Sequence, residues 1–181
     1  MQLRSIVPVV VLVLLTGCAA TVKRPSSEAG LAPLPASAAS KLVLNVGGSP
    51  VSVNASDWTG FKLEWQENFA AQARLADVSF EMQDGPAQPT GEEGTLLTVF
   101  VDDYRFIRPG TRYGIGVMSG NAYIESKLTF SNLKTGEAYG SRTANTTSSA
   151  WEGVFSAMTN KQVEAIAVDV LKDLKSGKAG R

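Results

Sequence analysis

The only cysteine of this 181-residue chain stands at position 18, directly behind an apolar run, and that placement limits what the remainder can become. One cysteine excludes any disulfide within the chain, so the fold must rest on packing. The run Ile6-Val-Pro-Val-Val-Val-Leu-Val-Leu-Leu15 spans about 15 Å as a helix, half the hydrocarbon thickness of a bilayer. It is too short for a transmembrane anchor. With Arg4 before it and small residues after it, it has the form of a secretory leader. Residues 1–17 are therefore expected to be a signal peptide, cut between Gly17 and Cys18.

The junction Leu15-Thr16-Gly17-Cys18-Ala19 resembles the bacterial lipobox, in which a lipid is attached to the cysteine sulfur before signal peptidase II cuts ahead of it. The resemblance implies that Cys18 is the lipidated first residue of the mature protein. In many Gram-negative bacteria such proteins carry three acyl chains, beyond the two signals that stable anchoring takes. Asp at the position of Ala19 typically retains a lipoprotein at the inner membrane. Its absence points to the outer membrane, periplasmic face, over the inner membrane.

Behind the cysteine, residues 19–40 are rich in Ala, Ser and Pro and hold no aromatic side chain. That composition buries too little apolar surface to offset ordering, so residues 18–40 read as a lipidated, flexible tether with a reach of roughly 25 Å. A single globular domain is expected over 41–176, with 177–181 as a tail. Roughly 140 residues suffice to bury about two-thirds of the unfolded surface. Basic and acidic residues balance at 17 each, which argues against nucleic acid as a partner. There is no histidine, so no Ser-His-Asp triad, Cys-His pair or histidine-ligated zinc site forms from this chain.

Residues 41–46 read as a first strand ended by Gly47 and Gly48. Trp58, Phe61, Trp65, Phe69 and Ala73 step by three and four, which predicts a helix capped by Ser56 or Asp57. Val78, Phe80 and Met82 alternate as a strand, and 84–94 is a loop. The apolar start of 95–107 predicts a central strand buried on both faces. Ala122, Ile124, Leu128 and Phe130 fall on one face of the next strand. A turn over 132–136 leads to a polar edge strand over 137–147. Capping boxes at Ser149-Ala-Trp-Glu152 and Thr159-Asn-Lys-Gln162 predict two helix starts, the second with Val163, Ile166, Ala167, Val170, Leu171 and Leu174 on one face. The class is α+β: a mainly antiparallel sheet with helices packed on one face.

Chemistry-bearing patterns are few. The glycine-rich segment 109–120 lacks the Gly-Lys-Ser/Thr ending of a phosphate loop, and its glycines lack dinucleotide spacing. It reads as a hairpin or close-packed connection. Asp102 and Asp103, as strand neighbours, point to opposite faces and cannot face each other across a sugar. Glu92 and Glu93 are the other adjacent acids. No metal site and no cofactor are expected. Trp58, Trp65, Arg112 and Tyr113 are the residues best suited to touch a ligand or partner, the aromatic ones as stacking surfaces.

The order Val101-Asp-Asp-Tyr-Arg105, Arg112 before a glycine-rich stretch, an alternating strand, Lys134-Thr-Gly136-Glu137 and a final helix resembles the domain-of-unknown-function family 4410. That resemblance covers a little under half the chain. It implies an envelope lipoprotein with no assigned reaction. The expected role is non-enzymatic: an accessory or scaffold that touches other periplasmic or outer-membrane proteins, with its edge strand open to a partner's strand. The alternative is a periplasmic module that binds a small ligand or glycan.

Overall fold

The computed structural model describes residues 22–23, 31, 34–106, 122–147 and 158–179. The expected leader, Gly17, Cys18, Arg112, Tyr113 and the capping box at 149–152 lie outside the described residues. In chain order the elements are β1 (Val22–Lys23), a 3-10 turn (Ala36–Ala39), β2 (Lys41–Gly48), α1 (Pro50–Val53), α2 (Trp58–Leu75), β3 (Ser79–Gln83), β4 (Thr95–Arg105), β5 (Tyr123–Asn132), β6 (Ala138–Thr147) and α3 (Met158–Ala179).

The strands form one six-stranded sheet in the order β1-β6-β5-β4-β2-β3. β4, β5, β6 and β1 pair antiparallel, while β2 lies parallel to both of its neighbours. The class is the expected α+β. Parallel neighbours need crossovers rather than hairpins. α2 supplies the first, from β2 to β3. The connection 84–94 supplies the second, from β3 past β2 to β4. It is fixed by the Thr90 N–H donating to the Leu133 carbonyl at 3.0 Å and by Asn45 Nδ2 donating to the Gly85 carbonyl at 2.9 Å.

Period-two alternation sorts the strands into two faces. Leu44, Leu97 and Phe130 stand in one row across the sheet, and Val46, Val99 and Leu128 in the next, all buried. Phe61, Trp65, Phe69 and Ala73 of α2 cover this face together with the predicted apolar stripe of α3. Each large side chain so enclosed contributes about 1.5–3 kcal/mol. The two helices lie side by side, with Asn160 Nδ2 donating to Glu64 Oε2 at 2.8 Å. On the other face Val43, Leu96 and Leu133 form a second, small core. The apolar run at the start of β4 is therefore buried on both sides, as a central strand requires.

Several expectations need correction. The tether is not free up to Ser40: Leu34 and Ala38 are buried in the main core, and Val22 and Lys23 pair with Thr146 and Asn145. A few well-placed apolar contacts outweigh a composition that reads as unstructured. Gly47 and Gly48 end β2 as its last two paired residues, not as a turn beyond it. α1 was not foreseen, although Ser49 caps it by accepting from the Ser52 N–H and Pro50 opens it. α3 begins before Thr159 and runs to Ala179, past the expected end at 176. Thr159 lies within α3 and not at its N-cap, so Thr159 and Gln162 form no capping box, and Gln162 Nε2 donates instead to the Ala122 carbonyl at 3.0 Å. The polar strand β6 is flanked at its far end by β1, so its outer edge is already occupied there.

Candidate functional site

The end of the sheet where β2 and β4 finish and β5 begins gathers most of the notable side chains. Beyond Gly48 the chain turns into α1, held by the Ser49 N–H on the Val101 carbonyl (2.9 Å) and by the Ser52 hydroxyl on the Asp102 carbonyl (3.2 Å). Trp58 then opens α2. Its ring lies 5.8 Å from Phe61 and 5.9 Å from Tyr104, and Phe61 stacks on Tyr104 at 4.1 Å. Phe106 meets Phe61 edge-on at 6.1 Å. Aromatic pairs of this geometry add about 0.5–1.5 kcal/mol beyond burial.

Two tyrosine–carboxylate pairs frame the cluster. The Tyr104 hydroxyl donates to Asp57 Oδ1 at 2.6 Å, and the Tyr123 hydroxyl donates to Asp103 Oδ2 at 2.8 Å. Asp103 Oδ1 also accepts the Tyr104 N–H at 2.8 Å. Burial, then the Asp57 carboxylate, pushes the Tyr104 phenol far above its ordinary range. The hydrogen bond to Asp103 leads the upward shift of Tyr123. Both phenols hold their protons tightly, which suits a structural clasp and not an acid catalyst. Glu92 and Glu93 are drawn to different lysines, Lys41 at 2.5 Å and Lys134 at 2.8 Å, and their partners hold both carboxyls below the usual range. Among the described residues no group of three or more acidic, histidine or cysteine side chains is placed to hold a metal ion.

The two tryptophans proposed as stacking surfaces part company here. Trp65 has no exposed surface and packs between Phe61 and Phe69, with ring separations of 6.1 and 5.7 Å. It is a core residue and offers no face to a ligand, because its spacing along α2 turns it onto the sheet. Trp58, the first residue of α2, is half-buried against the main core. Arg112 and Tyr113 fall in 107–121, outside the described residues.

Sequence reasoning missed the clasps and a buried ion pair. Arg142, in the strand expected to be a polar edge, reaches Asp169 at 2.5 Å and Asp173 at 3.0 Å on α3, beneath the Phe130 ring. Its alternation with Ala144 and Thr146 was the available signal, since all three share the core face.

No protein-family model and no curated protein sequence matches this chain, so the resemblance to family 4410 finds no counterpart there. Solved structures do resemble it. PelC of Paraburkholderia phytofirmans, a dodecamer, is 14% identical with a TM-score of 0.47, over 89% of this chain and 98% of that one. A Xanthomonas campestris protein of the DUF330 family is 10% identical with a TM-score of 0.47, over 77% and 86%. Lipoprotein GNA1162 of Neisseria meningitidis is 13% identical with a TM-score of 0.42, over 73% and 99%. Each is a likeness of chain path at low identity.

Proposed function

We propose that the chain is a lipid-anchored envelope lipoprotein of the outer membrane, periplasmic face, acting without catalysis as an accessory or scaffold beside other envelope proteins. The observation that carries this reading is Leu15-Thr16-Gly17-Cys18 behind a ten-residue apolar run. The lack of histidine supports it, as does the engagement of Tyr104, Tyr123, Asp57 and Asp103 with one another. No helix among the described residues is long and apolar enough to cross a membrane.

The test is mass spectrometry of the mature protein recovered from membranes. The expected amino terminus is Cys18 bearing acyl chains, and Cys18→Ser is expected to accumulate as an uncut precursor. A Cys18→Ser protein that is still cut and membrane-bound refutes the anchor. Crosslinking in intact cells is expected to capture a stoichiometric envelope partner, and a chain that remains uncrosslinked refutes the accessory role.

A further inference from the structure

We propose that the end of the sheet bearing α1 and Trp58 rests against the lipid surface, an orientation that builds on the Cys18 anchor proposed above. Val22 pairs with Thr146 and Lys23 with Asn145, near the end of β6. β1 runs antiparallel to β6, so from Lys23 back through Val22 the chain heads in the direction in which β6 ends. That is the end where β2 reaches Gly48, β4 reaches Arg105 and β5 begins at Tyr123. Cys18 precedes Val22 by four residues. Fully extended, four residues reach at most about 14 Å.

α2, with 18 residues, is about 27 Å long and spans the height of the sheet. A domain standing on its opposite end would lift Val22 beyond the reach of its own anchor. The short link thus replaces a long flexible tether, and the domain cannot stand clear of the surface. The same end exposes apolar side chains: Val51 is 79% and Val53 38% exposed, beside half-buried Trp58. Two exposed valines with an amphipathic aromatic beside them suit the boundary between acyl chains and water, and the charged Asp102, Asp103, Arg105 and Glu125, exposed at the same end, suit the headgroup layer. An edge-on pose, with β1 and β6 lowermost, also satisfies the link. It would leave α1 clear of the lipid, because β2 lies four strand spacings from β1, about 19 Å.

The experiment uses the lipidated full chain, in which Cys18 is blocked by its lipid and an introduced cysteine is the only free thiol. Val51→Cys and Leu75→Cys replace side chains that are 79% and 76% exposed, so neither disturbs the core. Each variant is labelled with a small fluorophore and reconstituted in vesicles of phosphatidylethanolamine and phosphatidylglycerol containing a lipid with a nitroxide headgroup. Leu75 closes α2, about 26 Å along the helix from Trp58. The expected result is quenching several-fold stronger at position 51 than at position 75. Equal quenching, or stronger quenching at 75, overturns the orientation while the anchor stands. An unlipidated Cys18 in the mass spectrum of the same sample overturns the anchor, and the orientation with it.

Discussion

The Tyr104 hydroxyl donates to Asp57 Oδ1 at 2.6 Å, joining the end of β4 to the residue that precedes α2. Asp57 holds the N-cap position without capping, since its side chain makes no bond to the helix's own N–H groups. Burial and this carboxylate raise the Tyr104 ionisation, so the native state keeps a proton that the unfolded chain releases above about pH 10. The stabilisation is therefore complete below that pH and is lost as pH rises. Tyr104→Phe is expected to cost about 1 kcal/mol at neutral pH. It is also expected to make the alkaline loss shallower, though not flat, because Tyr123 and Tyr139 are raised in the same direction. Urea titrations on either side of about pH 10 read both effects, and identical alkaline slopes in the two proteins would count against the clasp.

Leu34 and Ala38 are 3% and 0% exposed, and the Thr95 hydroxyl donates to the Ala38 carbonyl at 2.9 Å. These contacts make the segment before β2 a part of the folded unit. Leu34→Ala is expected to lower stability by about 2–5 kcal/mol, as for any large-to-small change in a core. A chain begun at Lys41 is expected to lose more. A loss below about 0.5 kcal/mol in urea denaturation, the scale of a surface change, would return this segment to the tether.

The strands were legible because their faces alternate: Ala122, Ile124, Leu128 and Phe130 are all fully buried, as the period requires. The apolar stripe of α3 was legible for the equivalent helical reason. Periodicity names a face but not a neighbour, so the parallel seat of β2 between β3 and β4 had no local signal. Leu34 and Ala38 hid within an Ala/Ser/Pro composition in which two residues carry the packing. At the candidate site, Trp65 was misassigned as a stacking surface, because its spacing with Phe61 and Phe69 equally fits a stripe that packs on the sheet. Asp57 and Tyr104 lie 47 residues apart, and only the paired geometry of α2 and β4 brings them together.

Arg142 is a buried cation whose side chain is 6% exposed, set between Asp169 and Asp173. Taking a guanidinium out of water is offset only while its carboxylates stay in place. Arg142→Ala is expected to cost about 3–5 kcal/mol, because it strands two partly buried acids against α3. Asp169→Asn leaves Asp173 as counter-charge and is expected to cost less. A double-mutant cycle between Arg142→Ala and Asp169→Asn measures the coupling, and strictly additive losses would remove the pair from the account of how α3 docks on β6.

Gly47 and Gly48 are neighbours in β2 with opposite surroundings. A Cβ at Gly48 would stand 2.8 Å from the Val101 carbonyl oxygen, 3.2 Å from Ser52 Cβ and 3.2 Å from Trp58 Cη2. The Val101 oxygen is the one that accepts the Ser49 N–H, so a bare Gly48 lets α1 fold back over the strand end and lets Trp58 lie on the backbone. Nothing lies within 4 Å of a Cβ at Gly47. Gly48→Ala is expected to cost about 1–3 kcal/mol through overpacking at backbone that cannot yield. Gly47→Ala is expected to be neutral or to stabilise by about 0.4–1 kcal/mol, since it only narrows the unfolded ensemble. Urea midpoints of the two variants decide the matter: a Gly48→Ala midpoint equal to that of Gly47→Ala would mean that α1 does not close over the end of β2 in solution.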